Sequence, residues 1–191
     1  MRSRRSGRRP GVRLSGGEHG GRVLSVAGDV RPTEGRVREA LFAIWAPLLP
    51  EARLLDLFAG TGAVALEAVG RGALSAVCIE EDRRCVAVLE RNVRRLGEEA
   101  AVEVRRGTLP AALSRLPETD TFDLVFADPP YRFTDHAGLL AAVAPLLAAD
   151  GEVAIEHSAR RELPLEAAGL VRVDVRRYGE SGLSFYRPGP A

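Results

Sequence analysis

The chain has 191 residues, and its 27 basic residues, all arginine, nearly balance 26 acids for a formal net charge of +1. That length fits one domain with a small appendage and a sizeable core. No long stretch is free of charge, and the arginine-rich start lacks the apolar core of a secretory signal, so a cytoplasmic protein with no membrane segment is expected. There is no glutamine, and Asn92 is the sole asparagine, a pattern shared by GC-rich genomes and by thermophiles. Cys78 and Cys85 read as small core or near-surface residues in a reducing compartment.

Charge is unevenly spread. Residues 1–40 carry ten arginines against Glu18, Asp29, Glu34 and Glu39, for a net +6, which leaves the remainder at −5. Residues 1–10 read as a disordered basic tail, either a contact for a polyanion, most simply nucleic acid, or a solubilising segment. Gly11 to Ser15 and Arg22 to Val26 are short β-prone runs around paired glycines and predict a hairpin. A helix follows, with Thr33 as its N-cap and Val37, Leu41, Ile44, Trp45 and Leu48 as its apolar face, closing near Pro47 and Pro50.

Beyond Pro50 strands and helices alternate. Strands are predicted at Arg53–Phe58, Ala76–Glu80, Ala101–Arg105, Phe122–Ala127 and Glu152–Glu156. Helices are predicted at Ala63–Arg71, Asp82–Leu96, Pro110–Leu116 with proline at N1, and Asp135–Leu147. Leu170–Arg176 and Leu183–Arg187 flank Gly179-Glu180-Ser181-Gly182 as a closing antiparallel hairpin. Repeated β-then-α units define an α/β fold with a mostly parallel sheet covered on both faces. Residues 1–10, 11–50 and 51–191 are thus tail, entrance region and main domain. Ligands of such sheets sit beyond the carboxyl ends of the strands.

Two strand ends carry chemistry. The first strand runs into Asp56-Leu57-Phe58-Ala59-Gly60-Thr61-Gly62, whose glycines permit a tight turn and close ligand approach. Gly60-x-Gly62-x-x-Ala65 loosely matches a dinucleotide fingerprint, but a carboxylate at Asp56 would repel a pyrophosphate. It suits a phosphate-free ligand with an ammonium and a sulfonium, S-adenosylmethionine. Glu80 would then chelate the ribose diol, and Ile79 and Leu109 would sandwich the adenine. The fourth strand ends in Asp128-Pro129-Pro130-Tyr131. There the prolines remove two N–H donors, the carbonyls and the Asp128 carboxylate remain as acceptors, and Tyr131 offers a stacking face. This corner suits an exocyclic amine on a planar base.

The chain resembles class I S-adenosylmethionine-dependent methyltransferases with an Asn/Asp-Pro-Pro-aromatic corner. More narrowly, it resembles the bacterial family that methylates guanine N2 in small-subunit (16S) ribosomal RNA. The residues carrying this are Arg31-Pro32-Thr33, Arg36-Val37-Arg38-Glu39-Ala40-Leu41-Phe42, the Asp56–Gly62 loop, Leu66-Glu67-Ala68, Gly72-Ala73, Asp128-Pro129-Pro130-Tyr131, and Tyr178-Gly179 with Leu183 and Tyr186. The resemblance implies a Rossmann-like, seven-stranded sheet whose last hairpin supplies the antiparallel member. It implies that Asp56, Phe58, Gly60, Thr61, Gly62, Glu80, Thr108, Leu109 and Thr33 hold the cofactor, while Asp128, Pro129, Pro130 and Tyr131 hold the target base. Arg31, Arg36 and Arg38, with Arg4, Arg5, Arg8 and Arg9 of the tail, would contact RNA, naked or within an assembled 30S subunit. Arg106-Gly107-Thr108-Leu109 lacks the acid that many relatives place after the third strand. A monomer without metal is expected, since His19, His136 and His157 show no ligand spacing. An adenine-N6 methyltransferase is the alternative, because the same corner accommodates an adenine amine.

Overall fold

The computed structural model describes residues 11–27, 34–117 and 119–190. The tail with Arg4, Arg5, Arg8 and Arg9, and the expected contacts at Arg31 and Thr33, lie outside the described residues.

β1 (Gly11–Arg13) and β2 (Val23–Ser25) form the expected antiparallel hairpin, with Val12 opposite Leu24. Val12, Leu14 and Leu24 are buried in the main core, so the hairpin is packed onto the domain. Asn92 secures it: this buried amide takes the Ser25 N–H at 2.9 Å and donates to the carbonyls of Ser25 and Thr61, both at 3.0 Å. The sole asparagine thereby links the hairpin to the glycine loop.

α1 (Glu34–Trp45) buries Val37, Leu41, Phe42 and Trp45. Leu48, expected on its apolar face, is exposed, and Leu49 is buried instead. The helix ends at Trp45, and the turn that follows changes the phase of the pattern. The Trp45 indole N–H donates to the buried Glu152 carboxylate at 2.8 Å, and Arg187 donates to its other oxygen at 2.7 Å.

The main sheet contains β3 (Arg53–Leu57), β4 (Ser75–Glu80), β5 (Val102–Arg106), β6 (Phe122–Ala127), β7 (Leu147–Ser158), β8 (Glu166–Ala167), β9 (Leu170–Tyr178) and β10 (Ser181–Pro188). Their spatial order is β5-β4-β3-β6-β7-β10-β9-β8. The first five are parallel, and β10 enters antiparallel against β7. The two-residue β8 adds an eighth, edge strand to the seven expected. Strand order reverses between β3 and β6, which makes their carboxyl ends the crevice of the sheet. Alternate strand residues feed two cores: Leu54, Cys78, Phe126 and Ala154 face one layer, and Leu55, Leu57, Val125 and Ile155 face the other.

α2 (Ala63–Gly70), α3 (Arg83–Leu96) and α4 (His136–Val143) complete the layers. Two helix expectations are corrected. Ala111–Arg115 is a five-residue 3₁₀ turn with Pro110 at its N-cap, one position before N1. The helix expected at Asp135–Leu147 ends as α-helix at Val143 and continues as a 3₁₀ turn, Ala144–Leu146, containing Pro145, whose missing N–H cannot extend the ladder. β7 then starts earlier and ends later than expected, at Leu147 and Ser158.

Glu67 on α2 is a buried node. It accepts from the Ser15 amide at 3.0 Å, from the Ser15 hydroxyl, from Arg38 at 3.0 Å and from Arg71 at 2.7 Å. Burial pushes its carboxyl up, but the Ser15 hydrogen bonds, then Arg71 and the Arg38 charge, more than offset this and hold it below the usual range. Glu67→Ala leaves the buried Arg38 guanidinium without its carboxylate partner, so a loss of about 3–5 kcal/mol is expected in denaturant unfolding. A change within about 0.5 kcal/mol would show the network to be dispensable.

Candidate active site

The loop after β3 is wound tightly: Phe58, Gly60 and Gly62 have φ of 60°, 54° and 77°. Gly62 is required twice over, since it caps α2 in the left-handed region and a Cβ there would lie 2.9 Å from Leu89 of α3. A left-handed phenylalanine costs roughly 1–2 kcal/mol, the kind of strain that collects at functional loops. Phe58 is held by an edge contact with Phe133, their centroids 5.3 Å apart. This joins the glycine loop to the loop after β6.

Glu80, at the end of β4, is buried, and its carboxylate accepts from Gly60 N–H at 2.9 Å and Asp82 N–H at 2.8 Å. Asp82 caps α3 through the amides of Arg84 and Cys85, and these hydrogen bonds hold its carboxyl below the usual range. Asp56 is 2% exposed and accepts the Ala65 amide at 3.2 Å. Burial pushes its pKa from an ordinary 3.8 to about 8; the Ala65 hydrogen bond opposes the rise, and the charges of Asp128 and Glu80 add to it.

At the end of β6, Asp128 N–H reaches the Leu57 carbonyl at 3.4 Å, setting the proline corner beside the glycine loop. Tyr131 is 62% exposed, and this presents its ring at the surface. One sequence expectation is corrected here: the Pro130 carbonyl accepts the Phe133 N–H at 2.7 Å, so it closes the loop rather than adding to an acceptor cluster. Arg161, after β7, braces the same loop. Its guanidinium donates to the Phe133 carbonyl, to the Tyr131 carbonyl at 3.2 Å and to His136 Nε2 at 3.2 Å. Because Arg161 can only donate, His136 is neutral with its proton on Nδ1. Burial and the Arg161 charge lower its pKa in keeping with that state.

These elements enclose one cavity of about 580 Å³. Phe58, Glu80 and Asp82 line it together with all four residues of Asp128-Pro129-Pro130-Tyr131. His136, Glu156, His157, Ser158 and Arg161 also line it, and the sequence reading did not select them. The expected strand ends at Glu156, with His157 and Ser158 directly after it, so the rule that ligands lie beyond strand ends already points to all three. Asp56, Gly60, Thr61, Gly62, Thr108 and Leu109 stand off this cavity: Asp56 is buried at the strand end behind it, and Thr108 is exposed, its carbonyl capping Ala112 N–H at 2.9 Å. Arg36 is exposed. Arg38, expected to contact RNA, is buried and holds Glu67 and, at 2.5 Å, the Arg13 carbonyl. Its role is to fasten α1 to α2 and the hairpin. Among the described residues no group of three or more His, Cys, Asp or Glu is arranged for a metal, and no described helix is long and apolar enough to cross a membrane.

The cavity lining carries six carboxylates against two guanidinium groups, Arg132 and Arg161. Arg132 is paired with Glu81 at 3.6 Å, and Arg161 is spent on the loop. Such a lining repels a pyrophosphate and favours a cationic, phosphate-free cofactor. Strand order, the glycine loop after β3, the acid ending β4 and the proline corner ending β6 together define a Rossmann-like class I S-adenosylmethionine-dependent methyltransferase fold.

Residues 12–187 match the family model described as Conserved hypothetical protein 95. The chain is 40% identical to Ribosomal RNA small subunit methyltransferase D of Escherichia coli (strain K12) over 148 residues, 76% of this chain and 71% of that protein. It is 31% identical to YlbH of Bacillus subtilis (strain 168) over 178 residues, 91% of this chain and 97% of the relative. The solved structure of yhhF from Escherichia coli superposes with a TM-score of 0.83 at 30% identity, covering 94% of this chain and 99% of that one. The chain belongs to this rRNA methyltransferase family.

Proposed function

We propose that the protein transfers a methyl group from S-adenosylmethionine to the exocyclic N2 amine of a guanine in small-subunit ribosomal RNA, acting as a monomer on naked RNA or on the assembled 30S subunit. The observation that carries this reading is the meeting of Glu80 and the Asp128-Pro129-Pro130-Tyr131 corner in one acidic cavity. In this reading Glu80 holds the cofactor at the cavity wall, Asp56, Gly60, Thr61 and Gly62 of the adjoining strand end and loop complete the cofactor site, and the corner holds the base.

When bound, S-adenosylmethionine supplies an activated methyl group with a thioether as leaving group. The residues' task is positioning, with the amine about 3–3.5 Å from the methyl carbon and opposite the sulfur. Guanine N2 is a poor nucleophile because its lone pair is delocalised into the ring. The Asp128 carboxylate and the Pro129 carbonyl accept its two N–H bonds, turning the lone pair towards the methyl group and stabilising positive charge as the N–C bond forms. The surplus proton leaves N2 through Asp128 to water. Tyr131 stacks on the extruded base, and such stacking contributes about 1–3 kcal/mol against the few kcal/mol needed to unstack it.

The test is mass spectrometry of ribosomal RNA from a strain lacking the enzyme, before and after treatment with protein and S-adenosylmethionine. N2-methylguanosine should appear; N6-methyladenosine in its place would transfer the reading to the adenine alternative. The basic start contributes sequence-independent phosphate contacts in this reading. Deleting residues 1–10 should therefore weaken RNA binding and flatten its dependence on salt, whereas an unchanged slope would make the tail a solubilising segment.

A further inference from the structure

The proline corner alone accommodates a guanine or an adenine amine, so the choice between them must come from a neighbouring group. β6 and β7 are parallel and in register up to Ala127 opposite Ile155. The next residue on each chain is Asp128 and Glu156, which places two carboxylates side by side on strands about 4.8 Å apart. Both line the cavity. The adjacent imidazoles have their acceptor nitrogens committed: His157 Nε2 lies 2.8 Å from Ser184 Oγ and Nδ1 2.9 Å from the Ser158 carbonyl, while His136 Nε2 takes Arg161. Glu156 is the carboxylate that the strand register sets next to the amine-binding corner.

On the Watson–Crick edge of guanine, the N1–H donor lies immediately beside the N2 amine. Adenine presents an unprotonated N1 lone pair beside its N6 amine. Two neighbouring carboxylates repel one another, and an edge with adjacent donors relieves that repulsion while a lone pair adds to it. We propose that Glu156 is the specificity-determining residue of this site, accepting guanine N1–H and rejecting adenine. The proposal rests on the guanine-N2 reading above. A site built around an N–H donor discriminates strongly against a base lacking it, because its own acceptor is then left facing a lone pair.

The experiment compares wild type with Glu156→Gln on subunits carrying guanosine or adenosine at the modified position, once mass spectrometry has located it. Glutamine can accept from guanine N1–H through its carbonyl or donate to adenine N1 through its amide. The guanine-to-adenine rate ratio is expected to fall by about 100-fold or more in Glu156→Gln, with N6-methyladenosine appearing on the adenosine subunits. Calorimetric affinity for S-adenosylhomocysteine should match wild type, which reports an intact fold; Glu156→Asp, which keeps the acceptor, should retain the wild-type preference if the Gln variant is unstable. An unchanged ratio in Glu156→Gln, or a lost preference in Glu156→Asp with cofactor affinity intact, overturns the assignment. If wild type leaves guanine N2 unmodified, the guanine reading fails instead, and that outcome is seen in the wild-type lanes alone.

Discussion

Asp128→Ala is expected to lower methyl transfer by roughly 10²–10³-fold while leaving cofactor affinity near wild type, since removal of one preorganised charge-stabilising group typically has that effect. Asp128 is exposed just beyond β6, and its backbone N–H, which the substitution spares, makes the contact with Leu57. Truncating the side chain therefore leaves that backbone contact between β6 and β3 in place. The Glu80 contacts to Gly60 and Asp82 are independent of it, so the ribose side of the site is preserved. Single-turnover rates on subunits, set beside calorimetry with S-adenosylhomocysteine, separate the two effects. A full rate would remove Asp128 from the chemistry; a matching fall in cofactor affinity would move its role to the cofactor side.

Much of this site was legible because its groups terminate strands. β6 has the bounds expected from the sequence, Phe122–Ala127, since an unbroken apolar run stops at an acid followed by two prolines. Asp56 and Glu80 follow the same logic at β3 and β4. What stayed hidden depends on contacts distant in sequence. Arg38 had the composition of an RNA contact but is buried by Glu67, 29 positions away. A signal existed: Arg38, Phe42 and Trp45 follow helical spacing and share the buried side of α1. No such signal marks Arg161, which braces two loop carbonyls and the first residue of α4, 25 to 30 positions earlier. The engagement of the Pro130 carbonyl by Phe133 is a loop geometry that composition does not encode.

Cofactor binding is expected to release close to one proton near neutral pH, and Asp56 is its source. In the ligand-free protein its pKa stands at about 8, well above the ordinary 3.8, chiefly because the carboxyl is buried. The folded state therefore holds this proton more tightly than the unfolded chain. The associated stability is fully present below about pH 3.8, is lost as pH rises through about 8, and so declines across the intervening range. A cation placed against Asp56 reverses the balance, because it favours the ionised carboxylate and pulls the pKa down. Below pH 8 the ligand must expel the proton to gain that attraction, so affinity rises by up to about tenfold per pH unit and levels off above the ligand-free pKa. Calorimetry of S-adenosylmethionine in two buffers of different ionisation enthalpy counts the released protons directly. Asp56→Asn, which keeps the shape of the side chain without its charge, should bind more weakly and remove this release. Equal proton counts in the two proteins would place the linkage elsewhere, with the ligand's own ammonium as its remaining source.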